Sequence, residues 1–244
     1  MAQFLIDIAG QTVAVTSLFE STRDYCRNYL TQRGPAFSVT VTREDLVFEQ
    51  EALRQEALEE GIRIRIFTDP FLERTAIQRK TAEYLFDRDV LMLHGSTVAV
   101  DGKAYLFTAK CGTGKSTHTR LWRQVFGERA IMINDDKPFL RITESTVFAC
   151  GSPWSGKHGL DTNITVPLQG ICILDRGKEN QIIRISPEEA LPMLLHQTYC
   201  PQAPEKHSRF EALVKQLAQQ IPLWHMACNM DPIAAEISHS AMCK

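Results

Sequence analysis

No apolar run in this 244-residue chain approaches the roughly 20 residues that a bilayer-spanning helix needs. The first residues, Met1-Ala2-Gln3-Phe4, lack a basic segment followed by a leucine-rich stretch, so a soluble cytoplasmic protein is expected and a membrane partner is not. A dominant charge is missing too. With 27 basic against 29 acidic residues, a formal net charge of -2 and no long run of either sign, nothing in the electrostatics calls for nucleic acid as a partner. The seven cysteines show neither C-x-x-C spacing nor a regular framework, and the seven histidines lack ligand spacing, so a disulfide scaffold or structural zinc site is not expected. There are no internal repeats or low-complexity stretches. Homo-oligomerisation is left open by all of this.

What the chain does contain is Phe107-Thr108-Ala109-Lys110-Cys111-Gly112-Thr113-Gly114-Lys115-Ser116, a polar, glycine-rich turn between an apolar strand and a helix. Gly112 and Gly114 let successive backbone N–H groups converge on phosphate oxygens, Lys115 reaches the transferring phosphate, and the Ser116 hydroxyl can meet Mg²⁺. Thr117 onward reads as helical, with Leu121, Trp122 and Val125 on one stripe, which puts the phosphates at a helix N-terminus. The pattern normally has glycine six residues before the lysine; here Ala109 stands there, tolerable if its φ is negative. The runs Ser96 to Val100 and Lys103 to Phe107, joined by Asp101-Gly102, predict a hairpin that presents this loop.

Phosphoryl transfer also needs charge cancellation and a base for the acceptor. Ala130 to Ile133 reads as a buried strand delivering Asn134-Asp135-Asp136 to its end; one carboxylate can hold Mg²⁺ while the other takes a proton. Adjacent acids in a strand point opposite ways, but at its terminus a turn can converge them. His94-Gly95 follows the apolar run from Val90 to Leu93, where His94 could hydrogen-bond Asp135 and tune it. Ser152 to Gly159 forms a second polar loop, in which Lys157 could neutralise phosphate or position an acceptor, Gly156 permits close approach, and Trp154 is either a stacking platform or a core plug.

Periodicity and turn signals divide the chain into residues 1–86, a small α+β portion, and 87–244, the catalytic portion. In the first, strands are expected over Phe4 to Ile8, Thr12 to Val15, Phe37 to Val41 and Ile62 to Phe67. Helices are expected from a Thr42 cap to Gly61, burying Leu46, Leu53, Ala57 and Leu58, and from Pro70 to Phe86, burying Leu72, Ile77, Ala82 and Leu85. In the second, strand candidates joined mostly by short turns argue against a doubly wound parallel sheet and for a mixed α/β sheet flanked by helices. Ser186-Pro187-Glu188-Glu189 predicts a capped helix start; a helix near 207–219 would bury Phe210, Leu213, Val214 and Leu217, and a terminal helix from Asp231-Pro232 would pack Ile233, Ile237 and Met242.

The order His94-Gly95, hairpin, Cys111-Gly112-Thr113-Gly114-Lys115-Ser116, apolar strand, Asp135-Asp136 resembles the catalytic domain of HPr kinase/phosphorylase and its serine-kinase relatives, in the fold group of ATP-dependent phosphoenolpyruvate carboxykinase. The resemblance runs from Leu91 through Lys157. It implies an ATP- and Mg²⁺-dependent kinase of the P-loop type, with nucleotide held by Cys111, Gly112, Thr113, Gly114, Lys115 and Ser116, together with Thr117 in the helix's first turn. It further implies Mg²⁺ on Ser116 and Asp136, and catalysis by Asp135 as base with His94, Lys115 and Lys157. An arginine-containing loop and an acidic signature of the bifunctional enzymes have no counterpart here, and Ser155-Gly156-Lys157 looks like the loop of the serine-kinase relatives. The implied acceptor is a serine of a protein or peptide; a small hydroxy metabolite such as free serine, or a non-catalytic nucleotide-binding module, are the alternatives.

Overall fold

Alternating buried and exposed positions along Ala2–Ile8 (β1) and Gln11–Ser17 (β2) make two strands, and Ala9 (φ 52°) and Gly10 (φ 82°) provide the left-handed pair of a tight hairpin. This is a computed structural model; it describes residues 1–59, 61 and 63–243, and its contacts divide the chain into Met1–Tyr84 and a second unit from Leu85 onward. In the first unit β1 pairs antiparallel to β2, with Ile6 opposite Val13, and β3 (Phe37–Thr40) pairs parallel to β2. A short helix, α1 (Glu20–Tyr25), intervenes where no helix was expected. Its start is built by a distant side chain: Glu73, fully buried, accepts from the Leu18 and Phe19 N–H groups and the Thr22 hydroxyl.

Helix α2 (Arg43–Glu59) begins after Thr42, whose N–H donates to Asp45 Oδ2 at 2.8 Å, and α3 (Asp69–Phe86) buries Leu72, Ile77 and Ala82 as expected. Ion pairs cross-link the two helices, Lys80 to Asp45 and Arg79 to the buried Glu49, each at 2.6 Å. Two expectations fail here. Leu58 is exposed, because at about 100° per residue it lies roughly 120° around α2 from the buried Leu46, whereas Ala57 lies only about 20° from it. Of the strand expected over 62–67, Ile62 lies outside the described residues, and 63–67 form no strand and pair with none among the described residues. The side-chain amide of Gln50 occupies one edge instead, donating to the Arg65 carbonyl at 3.1 Å and accepting from the Phe67 N–H at 2.9 Å.

The second unit contains β4 (Val90–Met92), β5 (Ser96–Val100), β6 (Lys103–Thr108), α4 (Lys115–Phe126), β7 (Ala130–Asn134), β8 (Phe139–Ile142), β9 (Val147–Cys150), β10 (Thr165–Arg176), β11 (Gln181–Arg184), α5 (Pro187–Gln197), α6 (His207–Gln220), β12 (Leu223–Cys228) and α7 (Ile233–Met242). The nine strands form one mixed sheet in the order β4-β8-β9-β10-β6-β5-β7, with β12 on β10 and β11 on β12. The expected mixed α/β sheet with flanking helices is therefore present. β10 runs parallel to its neighbours β6 and β12, and the remaining pairs in this sheet are antiparallel.

Alternation along β6 shows how the core is split. Ala104 and Leu106 face α5 and α6, against Leu194, Phe210, Leu213 and Leu217, while Tyr105 and Phe107 face α4 and α7, against Leu121, Trp122 and Ala235. Asp101 (φ 51°) and Gly102 (φ 76°) close the β5–β6 hairpin in register, Val98 opposite Tyr105. The α5 cap forms as expected: Ser186 Oγ accepts from the Glu189 N–H and Glu189 Oε2 accepts from the Ser186 N–H. On α7, Ala234, Ala235, Ser238 and Met242 are buried, whereas Ile233 is 44% exposed, contrary to expectation. No described helix is long and apolar enough to cross a membrane.

Candidate functional site

β6 ends at Thr108, the loop runs from Ala109 to Gly114, and α4 starts at Lys115. Gly112 (φ 74°) and Gly114 (φ 128°) take conformations that a side chain would strain, whereas Ala109 is not among the residues with positive φ and its methyl is buried in the core. This satisfies the condition for alanine at that position. The Lys115 ammonium donates to the Ala109 carbonyl at 3.0 Å, folding the side chain back over the loop. Ser116 and Thr117 lie half-buried in the first turn of α4, whose leading N–H groups have no intrahelical acceptor; Cys111 is exposed and Thr113 half-buried. Because β10 runs parallel to β6, its last residue, Arg176, reaches the loop and donates to the Gly112 carbonyl at 2.6 Å.

The end of β7 is shaped by a register irregularity: Val98 pairs with Met132 and Thr97 with Asn134, skipping Ile133. Asn134 then closes the turn. Its Oδ1 accepts from the N–H groups of Asp136 (2.8 Å) and Lys137 (2.6 Å), and its Nδ2 donates to the Ser152 carbonyl (2.8 Å), Ser152 Oγ (3.0 Å) and the Trp154 carbonyl (3.3 Å). One buried amide thus turns the acidic pair out of the strand and ties it to the second polar loop. In that loop Ser155 Oγ donates to Asp161 Oδ2 at 2.7 Å, and Gly156 (φ 69°) lies so close that a Cβ there would sit 3.1 Å from the Asp136 Cβ.

The two acids have different partners. Asp135, 7% exposed, accepts from Ser96 Oγ at 2.6 Å; Asp136 Oδ1 lies 3.4 Å from His94 Nε2. The expected contact between His94 and Asp135 is therefore replaced by one between His94 and Asp136, because the Asn134 turn swings the second acid, not the first, toward the bend after β4. That bend is held by the backbone: His94 N–H donates to the Gln197 carbonyl (2.7 Å), Thr108 Oγ1 to the His94 carbonyl (2.9 Å), and Gly95 N–H to the Asp136 carbonyl (3.0 Å). Burial, followed by the positive charges of Lys137, Lys115 and His196, drives the His94 imidazole down to about 2, so it is neutral near pH 7. Burial and the neighbouring Asp135 charge raise the Asp136 carboxyl, against the opposing pull of Lys137 and Lys115. Lys115 thus acts on both His94 and Asp136, which places loop, acids and histidine in one electrostatic neighbourhood.

No family model matches the chain, and no curated protein does. Among solved structures it is similar to the Hpr(Ser) kinase/phosphatase from Coxiella burnetii, with a TM-score of 0.31 and 11% identity, covering 53% of this chain and 97% of that one. That likeness assigns no residue here a role.

Lys157 stands apart from the other site residues, exposed in a short 3₁₀ turn, Gly156–His158, next to the glycine that touches Asp136. Trp154 is buried, 5% exposed, with its ring edge-on to Phe139 at 6.1 Å between centroids, so it is a core plug and not a platform. Sequence reasoning assigned no role to Ser96, Asn134, Thr119 or Arg176. Asn134 alone left a local trace, as an asparagine at a strand end directly before the acids, a residue type that bonds backbone N–H groups two and three positions on.

Proposed function

We propose that this protein binds ATP with Mg²⁺ and transfers the γ-phosphoryl group to a hydroxyl, that of a serine in a protein or peptide. The observation that carries this reading is the convergence of the phosphate-loop helix with the acids at the end of β7: Asp135 is joined through Ser96 to Thr119 of α4, one turn after Lys115, and Asp136 lies against His94. A loop that only bound phosphate would have no need of an acid pair beside it, one member buried and the other half-buried.

The donor set fits the cation. Mg²⁺ takes one or two protein oxygens and completes its shell with phosphate oxygens and water, and Ser116 and Asp136 offer hard oxygen of that kind. No group of three or more His, Cys, Asp or Glu among the described residues could hold a metal without such help. When bound, the cation neutralises charge on the transferring phosphate. Residues 111–117 cradle the phosphates, and Lys115 leaves the Ala109 carbonyl to reach them. Asp135 takes the proton from the acceptor hydroxyl. Neutral His94 steadies Asp136, a role that differs from tuning the base. Lys157, exposed beside the site, meets acceptor or phosphate.

The test is a transfer screen with γ-labelled ATP over candidate peptides, lysate proteins and small hydroxy compounds including free serine, run beside Asp135→Asn. Label on a peptide or protein seryl group in the wild type alone is the expected result. Label only on a small alcohol would make this a metabolite kinase, label only on water an ATPase, and no turnover under any condition would reject the enzyme in favour of a nucleotide-binding module.

A further inference from the structure

Two buried hydroxyls connect the phosphate-loop helix to the proposed base. Ser96, at the start of β5 and fully buried, donates to Asp135 Oδ1 at 2.6 Å, and the same Ser96 oxygen lies 2.7 Å from Thr119 Oγ1, 1% exposed in the second turn of α4. Proton counting sets the direction. An ionised carboxylate only accepts, so the single Ser96 proton goes to Asp135; the Ser96 oxygen then accepts, and the Thr119 proton goes to it. Thr119 has two other acceptors, the Lys115 and Ser116 carbonyls, but both lie at 3.4 Å.

We infer that Ser96 and Thr119 are positioning residues: a hydroxyl bridge that fixes the Asp135 carboxylate relative to the helix carrying Lys115 and Ser116. The catalytic consequence rests on the phosphoryl-transfer reading above. Asp135 leaves the end of β7 on a turn, and a carboxylate on a turn keeps its rotation only if a neighbour holds one oxygen. Ser96 holds Oδ1, leaving Oδ2 for the acceptor's proton. Ser96 is in turn oriented by α4, so the element that aligns the phosphates also aims the base at them. Neither hydroxyl reaches solvent, so water cannot substitute for a deleted one without a new cavity.

The experiment compares Ser96→Ala, Thr119→Val, Thr119→Ser and the Ser96→Ala/Thr119→Val double variant. With the acceptor found in the screen, Ser96→Ala and Thr119→Val are expected to lower kcat on the order of 10- to 100-fold with little change in the KM for ATP, and Thr119→Ser to restore it. The double variant is expected to be no slower than the slower single one, since both break one bridge. Crystal structures supply a readout independent of turnover: the Asp135 carboxylate should rotate from its wild-type position in Thr119→Val as well as in Ser96→Ala. A raised KM at unchanged kcat, multiplicative losses in the double variant, or an unmoved carboxylate in Thr119→Val would each overturn the bridge. If the wild type transfers phosphate to nothing, the kinase reading fails, and the crystallographic comparison alone decides whether Thr119 orients Asp135 through Ser96.

Discussion

His118 shows how one buried side chain ties this protein's stability to pH. It faces Ser238 Oγ at 3.1 Å and accepts from Trp122 Nε1 at 3.2 Å through Nε2, while its Nδ1 has no partner among the described residues. A proton on Nε2 would oppose the Trp122 donor, and burial alone drives the imidazole down to about 4, below the unfolded value of 6.5. The unfolded chain therefore takes up this proton first. The contribution of His118 is complete above about pH 6.5 and is lost as pH falls toward 4, a total of about 3 kcal/mol. Urea denaturation of wild type and His118→Gln between pH 7 and 4 should show a shallower slope in the variant; identical slopes would remove His118 as the cause. At the site, Asp135→Asn is expected to abolish transfer while keeping ATP affinity, and Asp136→Asn to raise the Mg²⁺ requirement. His94→Ala should follow Asp136→Asn, with no new acid limb in the pH–rate profile above pH 5, since its imidazole is already neutral there. A shifted acid limb would return His94 to the base.

Between elements, Asn134 and Gly95 are the points where a small change should travel furthest. Asn134 is fully buried and serves five bonds across β7, the acidic turn and the second loop, so Asn134→Ala leaves several backbone groups unpaired. It should cost roughly 3 kcal/mol and speed amide exchange at 152–161 as well as at 135–137; exchange confined to the acidic turn would show that the loop is held by other means. A Cβ on Gly95 would meet the Phe107 carbonyl at 3.0 Å and the Leu106 and Leu93 methyls at 3.1 and 3.2 Å. Backbone cannot yield as a side chain can. Gly95→Ala is therefore expected to destabilise by about 1–3 kcal/mol and to slow transfer by shifting His94, measured by thermal denaturation and by turnover.

At the scale of the chain, the proposed nucleotide site belongs to the unit from Leu85 onward, and the unit Met1–Tyr84 has its own sheet and its own buried carboxyl side chains, Glu49 and Glu73. MgATP at a hundredfold excess over its Kd should stabilise the unit that binds it by about 2.7 kcal/mol. Amide exchange should slow across β6, α4 and β7 and be unchanged in β1 and β2, and Lys115→Ala should remove the effect. Equal protection in both units would mean that the nucleotide also engages residues 1–84.

Local chemistry was legible in the sequence because it depends on neighbours a few residues apart. Asp101-Gly102 made its turn, Ser186 and Glu189 made their cap, and Gly112 and Gly114 bent the phosphate loop. The mixed sheet with flanking helices followed from short connections between the strands. Tertiary structure alone decided which oxygen meets which. Ser96 and Asp135 are 39 residues apart, Arg176 and Gly112 are 64 apart, and neither pairing leaves a periodic trace. The partner of His94 depended on a one-residue skip between β5 and β7 and on an asparagine that turns the chain after it, and the fate of Trp154 depended on Phe139 from another strand. Residues 63–67 have strand character in sequence, but a strand needs a neighbour, and Gln50 occupies the edge where one could have paired. Propensity and turn chemistry act within a few residues; register and long-range hydrogen bonding exist only once the sheet has closed around them.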